Sequence, residues 1–148
     1  LKDQALKWDY SSHDLSRTAR HYGVKWTLPE IFPIPTQAAG RAFYWINDQD
    51  RGLAKKFALA AYQKYFADGV DIRPKEVIAE VATGLGLDGA ACLAAMEDDV
   101  YKLKLKEVTA EAIERNVCGS PFFFIGDEPF WGNDRLDMID EWLETGGW

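Results

Sequence analysis

The stretch CGSPFFFIGDEPFWGNDRL, residues 118–136, decides how this chain folds. Pro121 opens onto Phe122, Phe123, Phe124 and Ile125, and a continuous apolar run entered through a proline reads as a buried strand. Gly126, Asp127, Glu128 and Pro129 are turn residues, and Phe130 with Trp131 makes a short second strand. Gly132, Asn133 and Asp134 start a helix whose inner face is Leu136, Ile139, Trp142 and Leu143. A two-stranded hairpin with one helix exposes an unpaired edge and lacks a second layer, so it needs partner strands. No segment upstream of Pro121 offers one. The chain opens at Leu1 inside what already reads as helix, so strand-bearing residues are expected before it.

Everything upstream has helical periodicity. Residues 100–117 place Leu103, Val108, Ala112 and Ile113 inward and Lys102, Lys106, Glu107, Glu111 and Glu114 outward. Asp88 caps a short helix through Cys92, Leu93 and Met96. Pro74 suits the first turn of a helix carrying Val77, Ile78, Val81, Ala82 and Leu85 as far as Gly86. Leu53, Phe57, Ala60, Ala61 and Phe66 mark a long helix ended by Asp68 and Gly69. Thr36 caps another, with Ala38, Ala39, Ala42, Phe43, Trp45 and Ile46 on one broad face, broken at residues 47–50. Pro29, Pro33 and Pro35 make residues 26–35 an extended, irregular connection. Residues 6–22 form a first helix, with Leu6, Tyr10, Leu15, Ala19 and Tyr22 at helical spacings and a stop at Gly23.

Composition bounds the function classes. The 148 residues, 47% hydrophobic and 28% charged, suit one soluble globular domain with a substantial core. No apolar run is long enough to cross a bilayer, and the opening residues do not read as a signal peptide. A formal charge of -7 opposes general nucleic-acid binding, which needs a basic face to displace counterions. Cys92 and Cys118 are spaced neither as CxxC nor as a zinc pattern, and His13 and His21 stand far from both, so no metal site is expected. A reducing, cytoplasmic setting is the default expectation.

Strand, turn, strand and helix entered through X-Pro resembles the second half of a thioredoxin fold. Gly119-Ser120-Pro121, followed by Trp131, Gly132, Asn133, Asp134 and Arg135, resembles the 2-hydroxychromene-2-carboxylate isomerases and their relatives, the kappa-class glutathione transferases. Lys7, Tyr10, Asp14 and Leu15 resemble that family's Lys-x-x-Tyr-x-x-x-Asp-Leu helix. The helical insert between the two motifs also fits, so the resemblance covers essentially the whole chain. It implies an α/β, thioredoxin-like fold with a large all-helical insert and with the first βα unit absent from this chain. Residues 1–35 would then be the helix and proline-rich connection of the thioredoxin-like domain, 36–117 the helical insert, and 118–148 the C-terminal ββα. Family members also begin with a strand and a serine-bearing loop facing the glutathione sulfur. Leu1 aligns beyond that loop, so no catalytic residue is expected within this chain.

The resemblance implies a cis Ser120–Pro121 bond that turns the N–H and C=O of Ser120 toward the cysteinyl part of glutathione; the plain alternative is a proline that merely starts a strand. Trp131, Gly132, Asn133 and Asp134 would complete the glutathione site, with helix-start N–H groups for a carboxylate and Asp134 for the γ-glutamyl ammonium. The alternative there is an ordinary Asn/Asp cap with Arg135 in a surface ion pair. Lys7 would hold a glutathione carboxylate, or be solvated surface. Phe32 and Trp45 are candidates for walling a flat aromatic substrate, although aromatics at helical spacing are more often core. Cys118 is expected as a buried, inert thiol, Cys92 as core, and both histidines as exposed.

The activity implied is isomerisation of 2-hydroxychromene-2-carboxylate to trans-o-hydroxybenzylidenepyruvate in aromatic-compound breakdown. Glutathione would be the cofactor, a small aromatic 2-oxo or 2-hydroxy acid the substrate, and a homodimer the assembly. A kappa-like transferase or a DsbA-like disulfide oxidoreductase shares the fold, though the latter needs a CxxC that this chain lacks. A non-catalytic binding module, with Asn133 and Asp134 only as caps, is a further alternative.

Overall fold

A computed structural model describes residues 5–148, with side chains from residue 7 onward, so Leu1 and the side chain of Leu6 lie outside the described residues. The chain divides into two units, Leu1–Leu105 and Lys106–Trp148, each considered by itself.

In the first unit α1 (Ala5–His21) ends at Gly23, which takes a left-handed φ of 66°. The connection to α2 (Gln37–Asn47) is irregular, as its prolines require. Asp50 caps α3 (Arg51–Tyr62) by accepting from the N–H groups of Gly52 and Leu53 at 2.7 and 3.0 Å. One π-helical turn, Gln63–Ala67, continues it. After α4 (Lys75–Gly84), Asp88 accepts from Ala90 and Ala91 at 2.8 and 3.1 Å to cap α5 (Gly89–Glu97). The apolar faces of α2 to α5 meet in one core whose largest enclosed side chains are Phe57, Ile46, Ile78, Met96 and Cys92. Burial of a Phe, Ile or Met side chain stabilises by about 1.5–3 kcal/mol, so these residues hold the helices together. Tyr65 closes the core from the π turn and donates to the Ile31 carbonyl at 2.5 Å.

α6 (Asp99–Glu114) leads into the second unit, where β1 (Phe122–Ile125) and β2 (Glu128–Trp131) pair antiparallel. The register sets Phe122 opposite Trp131 and Phe124 opposite Pro129, so these four residues share one face of the ribbon. Phe130 points to the other face, where it is buried and meets Trp142 edge-on at 5.9 Å. Trp142 belongs to α7 (Leu136–Thr145), which Gly146 closes in a left-handed conformation. The described residues are mostly helical with a small two-stranded sheet, and strand, strand and helix close the chain in the order that the resemblance implied.

Several local expectations need correction. Thr36 precedes α2 but makes no capping hydrogen bond, and Pro74 stands just before α4 rather than inside its first turn. The long helix ends at Tyr62, because Phe66 belongs to the π turn. No residue of α6 is buried among the described residues, and Leu103, Val108 and Ile113 are exposed. Leu136 and Leu143 are likewise exposed on α7, where Ile139 is the buried residue. β1 is half-buried rather than buried, since one layer covers only one face of a ribbon.

Candidate functional site

Two loops of the second unit converge. The Ser120–Pro121 peptide bond is cis, as is Phe32–Pro33 in the first unit. The Pro121 carbonyl accepts from the Gly132 N–H at 3.0 Å, which ties the entry of β1 to the exit of β2. Ser120 is exposed at this junction, and among the described residues neither its backbone N–H nor its C=O has a hydrogen-bond partner. An exposed donor and acceptor on one residue can pair with a short peptide running antiparallel.

Gly132 has φ 113° and ψ 150°, a combination open to glycine almost alone. A Cβ at this position would overlap Asp134 Oδ1, so the glycine also gives that carboxylate its place. Asn133–Arg135 is a single 3-10 turn, and neither Asn133 nor Asp134 caps it or α7 with its side chain. The capping role considered from the sequence is therefore not the one these residues play. Asp134 is exposed, with Oδ2 at 3.5 Å from Arg135 Nη1, a surface pair that water screens. Trp131, 57% exposed as a residue, precedes this loop, and the Arg115 guanidinium lies 3.5 Å from the centre of the Phe124 ring on the same ribbon. No periodicity signals Arg115, because it follows α6 and reaches its partner through space.

Ser120, Pro121, Trp131, Gly132, Asn133 and Asp134 thus fall within one pair of loops. Lys7 is exposed on α1 of the first unit. Phe32 is half-buried, stacked on Trp8 at 5.7 Å and packed with Trp45 against the helical core. Two of the cavities among the described residues of that unit are lined by neither Phe32 nor Trp45. One, of about 420 Å³, lies among Thr36, Gly40, Phe43, Phe57 and Tyr62; the other, of about 800 Å³, among Trp26, Leu59, Tyr62 and Phe66.

Cys118 is exposed, contrary to expectation, because the loop before Ser120 lies on the surface. Cys92 is fully buried, and burial pushes its thiol pKa up to about 11. His13 and His21 are exposed. Among the described residues no cluster of His, Cys, Asp or Glu is placed to hold a metal ion, and no helix is long and apolar enough to cross a membrane.

The chain is 31% identical over 130 residues to a 2-hydroxychromene-2-carboxylate isomerase of Sphingobium xenophagum, covering 88% of this chain and 65% of that protein. It is 30% identical over 139 residues to the enzyme so named from Pseudomonas putida, covering 94% and 66%. The chain thus spans about two thirds of the length of these curated relatives. A solved structure of a 2-hydroxychromene-2-carboxylate isomerase superposes with a TM-score of 0.86 at 29% identity, over 97% of this chain and 68% of that one. Residues 1–144 match the family described as the DSBA-like thioredoxin domain, and the chain belongs to that family.

Proposed function

We propose that the chain is the glutathione-holding part of an isomerase acting on 2-hydroxychromene-2-carboxylate or a related small aromatic acid. Its likeness to isomerases of that name supports the reaction class. The observation that carries the cofactor is the unpartnered Ser120 backbone, joined through the hydrogen bond from Gly132 to Pro121 to a loop presenting the Asp134 carboxylate.

The donor set fits a γ-glutamyl tripeptide. Glutathione offers an amide backbone, two carboxylates and one ammonium. Ser120 has a backbone donor and acceptor for the amide portion. Asp134, exposed and not used as a cap, has a carboxylate for the ammonium; its present neighbour Arg135 is a water-screened surface partner at 3.5 Å. Trp131 adds an exposed aromatic face at the end of β2, against Gly119. What glutathione supplies when bound is a thiol for reversible addition to a conjugated double bond, which frees that bond to rotate before elimination. The residues of this chain bind and orient the tripeptide, and that fixed geometry is where their share of the rate enhancement arises.

Titration calorimetry of the protein with glutathione, beside a spectrophotometric assay on 2-hydroxychromene-2-carboxylate, tests the reading. Binding that Asp134→Asn weakens about tenfold, the loss of one charge-assisted contact, is the expected result. Absence of glutathione binding would overturn the cofactor, and glutathione-independent turnover would overturn the mechanism.

A further inference from the structure

Gly119 has no assigned role in the site, yet a side chain there would meet an aromatic ring of the site. Its φ lies outside the left-handed region, so nothing in its backbone calls for glycine. What calls for it is space. The Trp131 indole occupies the place a side chain at Gly119 would take. A Cβ added there would stand 2.6 Å from Cε2 and 2.9 Å from Cζ2 of that ring, and closer still to Nε1. Carbon atoms at rest approach no nearer than about 3.5 Å, so an alanine and this indole position exclude one another.

The backbone is anchored just beyond Gly119. Two residues on, Pro121 is held by the Gly132 N–H at 3.0 Å, and from Phe122 onward the chain is paired to β2. The indole can yield, because it is more than half exposed and no hydrogen bond among the described residues holds it. The clash would therefore move the ring and leave the fold in place. The ring lies against Gly119, the residue that precedes Ser120, whose backbone donor and acceptor are unpartnered.

We infer that Gly119 is a positioning residue: it seats the Trp131 indole against the backbone that leads into Ser120, and through that ring it sets the affinity of the loop for glutathione. The inference rests on the glutathione reading above and names a residue through which that site is shaped. Gly119 touches no ligand in it. Trp131 does.

The test is a double-mutant cycle read in two ways, by the indole N–H peaks of 15N-labelled protein and by glutathione titration. The chain has six tryptophans, and Trp131→Leu assigns one peak by removing it. Gly119→Ala should shift that peak, leave the others in place, and weaken glutathione binding about tenfold, the scale of losing a well-packed aromatic contact. In the Trp131→Leu background, Gly119→Ala should cost nothing further, because the ring it displaces is gone. A glycine needed only for the backbone would cost the same in both backgrounds. An unmoved Trp131 peak, undiminished binding by Gly119→Ala, or additive losses would overturn the positioning role while the glutathione reading stands. Wild-type protein that binds no glutathione would overturn that reading and the role of Gly119 toward the tripeptide together, whichever way the peak moves.

Discussion

Challenging the two cysteines with an alkylating reagent at controlled pH examines the helical core directly. Cys92 is completely enclosed in the first unit and its pKa is pushed up to about 11, because a thiolate there would lose its hydration with no charge nearby to compensate. An ordinary thiol of pKa near 8.5 is roughly one quarter thiolate at pH 8, whereas one of pKa about 11 is roughly one part in a thousand. Ionisation alone thus slows Cys92 by roughly two-hundredfold, before the closed packing around it is counted. Cys118 is exposed. Mass spectrometry at pH 8 should find one label on native protein, mapping to Cys118, and two after denaturation. The same shift ties stability to pH. The folded pKa lies above the unfolded value, so the protonated thiol's contribution is fully present below about pH 9 and is lost as pH rises toward about 11. The denaturation midpoint of wild type should fall through that window more steeply than that of Cys92→Ala, which removes this titration and keeps every other. Equal labelling of the two thiols at pH 8, or parallel pH profiles for the two proteins, would refute the enclosed packing of α5.

Two further substitutions address other parts of the molecule. Phe57→Ala empties a position only 1% exposed at the centre of the first core and should cost about 3–5 kcal/mol in chemical denaturation; a loss below about 1 kcal/mol would mean that the ring is not held as described. Gly132→Ala forces a Cβ into a conformation of φ 113° and against Asp134, and should cost about 1–3 kcal/mol; a change within about 0.5 kcal/mol would show that the turn relaxes freely.

What could be read from sequence was whatever acts over a few residues. Asp88 announces its helix because a carboxylate at that position satisfies N–H groups two and three residues on, and Gly23, Gly69 and Gly86 announce stops because left-handed backbone favours glycine. The hairpin and its following helix were legible from one apolar run between turn residues. The inner face assigned to α6 was not, because period 3.6 says which residues share a side and nothing of what lies against it. The π turn at Gln63–Ala67 has no sequence mark, since one widened turn leaves the apolar spacing almost unchanged. At the site, the motif contained Gly119 beside Ser120 but assigned it no role, because the demand for space there comes from a ring twelve residues later.

The ribbon of β1 and β2 has unequal sides. Glu128 places a charge on β2, and Pro129 lacks the N–H that an added strand would need, so further pairing along that strand is blunted. β1 has neither device: Phe122–Ile125 carry no charge and no proline, so the alternate N–H groups turned away from β2 are available to an added strand. Growth of this sheet is therefore directional. A strand arriving from elsewhere in the protein, or from another molecule, is offered one live edge for templating, and it lies immediately after the Ser120–Pro121 junction.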